Sequence, residues 1–87
     1  MIDTNKRLAT LSALLDFQDA VARHDLKAAM ECREKRLVLA LGLFSVDRKR
    51  LSALQHLFHV SGRWGRGVDS ANTVREALER AIPLFKD

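Results

Sequence analysis

From residue 4 to about residue 24 the apolar positions return at intervals of three and four: Leu8, Leu11, Leu14, Leu15, Phe17, Val21 and Ala22. That spacing is the signature of an amphipathic helix with a broad apolar stripe, so it predicts a first helix over 4–24. Asp3 or Thr4 stands where a side-chain oxygen can accept from the free N–H groups of the first turn. His24-Asp25 breaks the pattern, and Asp25 is a good N-cap for a second helix over 26–42 carrying Leu26, Ala29, Met30, Leu37, Ala40 and Leu41. Its middle, Glu31 to Arg36, mixes signs as a solvated face does, and Gly42 is its expected stop.

The run Leu37 to Leu41 is apolar at every position and too short to declare a period. It is assigned to helix, because no β-branched run elsewhere could pair with it and a lone strand leaves its backbone groups unsatisfied. Ser45 is the expected N-cap of a third helix over 46–61, with Asp47 favouring its positive end and Leu51, Leu54, Leu57 and Phe58 as its apolar face. Three glycines, Gly62, Gly65 and Gly67, predict a loop over 62–69. A fourth helix over 71–82 follows, with Thr73-x-x-Glu76 as a capping box or Ser70 as an earlier start; Val74, Ala77, Leu78, Ala81 and Ile82 form its stripe and Pro83 ends it.

These elements predict an all-α fold: one compact domain over 1–87 of three to four helices, with oligomerisation as one way to complete a small core. At 87 residues the chain is short for two cores, and its single cysteine, Cys32, excludes an internal disulfide. The lone thiol, the absence of a long apolar run and an N-terminus unlike a signal peptide's point to a cytoplasmic protein with no membrane association.

The formal charge of +4 is carried more by arginine than by lysine, which admits nucleic acid or an acidic protein surface as a partner. The basic residues fall in two groups. Arg48, Lys49 and Arg50 open the third helix, and Arg63 and Arg66 flank Trp64 in the glycine-rich loop. Arginine bridges phosphates and an exposed indole stacks on bases or packs on protein, so these six are the candidate contact residues, against the alternative that the arginines keep a helical surface soluble while Trp64 folds back as a core anchor.

Catalytic chemistry is harder to assemble. His56-x-x-His59 lacks the spacing and glutamate of a zinc-protease helix, Cys32 sits in a charged helical segment, and no phosphate or dinucleotide loop is present. The 37–57 region also departs from a helix-turn-helix reader, with Val38 and Arg48 where a small and an apolar residue belong. The expectation is therefore a non-enzymatic helical binding protein, without cofactor or metal, associating with itself or with another protein. The alternative is a basic protein that binds the nucleic-acid backbone.

Overall fold

The computed structural model describes the backbone of residues 2–86 and the side chains of residues 4–86. Helix α1, Ile2–Ala22, turns back into a second rod that begins as α2, Leu26–Cys32, passes through a π-turn, Arg33–Leu37, and ends as α3, Val38–Leu43. Helix α4, Arg48–Gly65, and helix α5, Ala71–Ala81, form a second antiparallel hairpin, and a 3-10 turn, Ile82–Phe85, lies back across α1. The all-α architecture of four helical rods follows, with no strand among the described residues. The molecule is elongated, 38 Å along its longest axis and 19 to 20 Å across.

Each rod ends for a local reason. His24 adopts the left-handed conformation (φ 56°), and the amides of His24 and Asp25 bond the carbonyls of Val21 and Ala20, a Schellman turn made without glycine. Asp25 then caps α2 by accepting from the amide of Ala28. The cap of α4 is Asp47, which accepts from the amide of Arg50; Ser45, the expected cap, lies two residues too early. For α5 the cap position is Ser70 rather than Thr73.

The expected loop over 62–69 is corrected. Helix α4 runs on through Gly62, Arg63 and Trp64 to Gly65, and the chain turns off it at Gly67, the one glycine of positive φ (77°) among the described residues, where the amides of Gly67 and Val68 bond the carbonyls of Trp64 and Arg63. Gly62 and Gly65 do a different job: they share the face of α4 that meets the second rod. A Cβ at Gly62 would fall 2.7 Å from Arg33 Nη2, and one at Gly65 would fall 2.8 Å from Met30 Sδ. Glycine leaves room there for both long side chains as they stand.

The π-turn has a geometric cause. Ala29, Arg33 and Leu37 are spaced by four, which drifts about 80° around a regular helix over eight residues. Widening the turn, with the amide of Val38 bonded to the carbonyl of Arg33, restores the phase so that Ala29, Leu37, Ala40 and Phe44 all reach the core.

Leu14, Phe17 and Val21 of α1 close that core against Leu54 and Leu57 of α4, Val74 and Leu78 of α5, and Phe85 of the 3-10 turn. The apolar stripe of α1 differs from the expected one. Thr10, Ala13, Phe17 and Ala20 face inward, whereas Leu8 and Leu15 are exposed. Alanine at 13 and 20 lets the second rod approach closely enough for Cys32 Sγ to donate to the Ala13 carbonyl at 3.4 Å.

Candidate functional site

The six basic and aromatic candidates do not share one surface. Arg50 turns inward from the first turn of α4: its Nε donates to the Leu84 carbonyl at 2.8 Å, and its guanidinium lies 5.4 and 5.3 Å from the Phe44 and Phe85 ring centroids. Arg7 donates in the same way to the Phe85 carbonyl at 2.7 Å. The two arginines satisfy carbonyls left open at the chain's last helical turn, where positive charge is also favoured by the helix dipole. Arg63 pairs with Asp69 at 2.9 Å and so pins the loop after α4. Trp64, on the last turn of α4, is half-buried and packs against the core cluster.

Arg48, Lys49 and Arg66 remain exposed and outside any ion pair of the described residues. Arg48 and Arg66 lie at opposite ends of α4, about 27 Å apart along its axis at about 1.5 Å per residue. Between them the exposed face carries Ser52, Gln55, His56 and His59, and α4 contains no acidic residue. His56 and Lys49 also edge a shallow cleft between α4 and α5 with Ser52 and Arg80. Cys32 is on the far rod, half-buried against Ala13, so neither histidine meets it. Burial pushes its thiol pKa up, with nearby Arg36 opposing and Asp16 adding to the rise, the reverse of what an activated nucleophile needs. No group of three or more His, Cys, Asp or Glu side chains is placed to hold a metal among the described residues. No helix of the described residues is long and apolar enough to cross a membrane.

Arg33, which the sequence pattern left in a solvated face, is instead held against α4. Its Nε donates to Ser61 Oγ at 2.9 Å and its Nη2 to the Phe58 carbonyl at 2.9 Å, with the guanidinium stacked 3.7 Å from the Phe58 ring centroid. Desolvation lowers its pKa from the ordinary value, partly opposed by Glu34 and reinforced by Arg66. It ties the π-turn to α4.

The surface that sequence reasoning missed lies between α1 and α3. Ala9, Ser12 and Ala13 of α1 and Ala40 of α3 floor a groove of about 400 Å³, with Leu39 and Leu43 on one lip. Leu8 and Leu15, four residues before and three after Ser12, are exposed beside it on α1 without lining the groove. All four leucines are exposed, Leu39 to 65%. Asp16 and Arg36 pair across one end of the groove. Thr10 lines it too, only 3% exposed, and its hydroxyl is the one buried side-chain oxygen or nitrogen without a partner among the described residues. The signal was present in the sequence: α1 carries more leucine than one stripe can bury. No family model, no curated protein and no solved structure matches the chain.

Proposed function

We propose that the chain is a non-enzymatic helical association module that receives a protein helix in the groove between α1 and α3. The observation that carries this reading is exposed leucine beside a floor of alanine and serine, with Leu39 and Leu43 lining the groove and Leu8 and Leu15 next to it on α1. Together the four withhold about two leucine side chains' worth of surface from burial. At about 1.5–3 kcal/mol per leucine, covering them contributes roughly 3–6 kcal/mol per chain. Small floor residues let a helix backbone come close, and the leucines beside them grip its sides, which is the helix-in-groove mode of recognition.

The test is a photo-crosslinking amino acid placed at position 39 in the cell that makes the protein. The reading expects a discrete protein adduct from position 39 and none from position 75, an exposed site on α5. No adduct from either position contradicts it.

A second reading, binding to the nucleic-acid backbone, draws on one observation: the solvent face of α4 is basic and free of acid from end to end. It has lost Arg50, Arg63 and Trp64 to internal contacts and rests on Arg48, Lys49 and Arg66. Duplex DNA binding with a salt slope that falls by about 0.9 for each of these changed to Gln would support it. Absence of binding at low salt removes it.

A further inference from the structure

We propose that the occupant of the α1–α3 groove is a second copy of this chain, in a two-fold pair; this rests on the association reading above. Three features of the face are self-complementary. It offers projections and recesses on the same surface, so that Leu39 and Leu43 of one copy can pack between Leu8, Ser12 and Leu15 on the α1 side of the other, and the same contact recurs across the two-fold. An isologous interface requires this presence of knob and hole on one patch.

The charges are arranged likewise. Asp16 stands on the α1 side and Arg36 on the rod side, paired with each other within the chain. A two-fold axis running along the groove sets the α1 side of each copy against the rod side of the other, which brings acid to base at the rim on both sides. A partner of uniform charge would leave one side opposed by its own sign.

The size is also of the right order. Helix α1 is about 31 Å long at about 1.5 Å per residue, and two helices side by side are about 20 Å wide. The whole layer of α1 and the second rod therefore covers roughly 600 Å² in projection, the upper bound of what each copy can present, against the about 800 Å² that each partner of a stable complex buries. The basic face of α4 lies elsewhere and remains free in such a pair.

Sedimentation velocity of the purified chain from about 1 to about 200 µM should show a monomer passing to a dimer. Leu39→Glu, which puts a charge at a position open to solvent in the monomer, should raise the dissociation constant at least about 100-fold while leaving the far-ultraviolet spectrum and the monomer's melting unchanged. Asp16→Lys should also weaken the pair, and Asp16→Lys combined with Arg36→Asp should restore it, since the swap returns opposite charges across the rim. A chain that stays monomeric throughout overturns self-pairing, and so does a dimer indifferent to both Leu39→Glu and the charge reversal. The association reading fails separately: an adduct at position 39 of about twice the 9.8 kDa chain mass agrees with the pair, a discrete adduct of another mass overturns only the second copy, and no adduct overturns both.

Discussion

Adding one methyl group at Gly62 should change the sign of its effect according to what stands opposite it. Gly62 lies inside α4 with ordinary helical φ, so alanine there gains about 0.8–1 kcal/mol of helix propensity. Against this, the new Cβ falls 2.7 Å from Arg33 Nη2 and 3.4 Å from Cζ. The guanidinium cannot give way at one atom alone, because it is a rigid fork that bonds Ser61 Oγ and the Phe58 carbonyl and stacks on the Phe58 ring. Loss of one charge-assisted hydrogen bond costs about 1.5–3 kcal/mol. Gly62→Ala should therefore destabilise by about 0.5–2 kcal/mol, a fall of several degrees in Tm for a domain of this size. In an Arg33→Leu background the obstacle is gone, and the same change should stabilise by about 1 kcal/mol. Gly42→Ala is the control, since nothing lies within 4 Å of its new Cβ, and should stabilise by about 0.5–1 kcal/mol. Urea unfolding of the four members of the cycle measures this directly. Equal increments for Gly62→Ala in both backgrounds would refute the claim that Arg33 is locked onto α4.

Four further outcomes follow from the geometry. Arg50→Met should cost about 2–4 kcal/mol in thermal melts, because it strips the Leu84 carbonyl of a charged donor and two aromatic rings of their cation. Leu54→Asp, at a position 2% exposed, should unfold the chain, as should Leu78→Asp; circular dichroism of a folded protein in either case would contradict the core described. Thr10→Val should raise the stability of the dilute monomer by about 1 kcal/mol in denaturant titrations by removing an unpartnered buried hydroxyl, and a loss instead would show that the hydroxyl is already satisfied. The Cys32 thiol has its pKa raised by folding, so the folded chain holds that proton more tightly than the unfolded one; its contribution is complete below the ordinary value of 9.0 and is lost as pH rises through the folded value. Stability of the wild type should thus fall more steeply above pH 9.0 than that of Cys32→Ser, which keeps a donor for the Ala13 carbonyl; parallel profiles would count against the burial of the thiol.

The helical rods were legible because periodicity reports burial: the Val74, Ala77, Leu78, Ala81 and Ile82 stripe of α5 is buried throughout. Glycine misled, since Gly62 and Gly65 read locally as helix breakers while their actual cause is tertiary, the approach of Arg33 and Met30 from another rod. Charge misled in the same way. Arg48-Lys49-Arg50 reads as one basic patch, yet one helical step of about 100° separates neighbours and turns Arg50 onto the C-terminal carbonyls while Lys49 stays in solvent. The groove was hidden for a third reason: Leu8 and Leu15 fit a helical stripe as well as Leu14 and Phe17 do, and only packing decides which of two stripes faces the core. A surplus of leucine on α1 was the available sign that a second face wanted cover.

Solvent relaxation of leucine and valine methyl groups by a soluble paramagnetic agent, followed across dilution, tests the covering of that face most directly. The account predicts that the methyls of Leu8, Leu15, Leu39 and Leu43 lose their access to the agent as concentration rises, while Val46, 94% exposed in the turn before α4, keeps it throughout. Methyls of Leu39 and Leu43 that stay as accessible as Val46 at every concentration would contradict it.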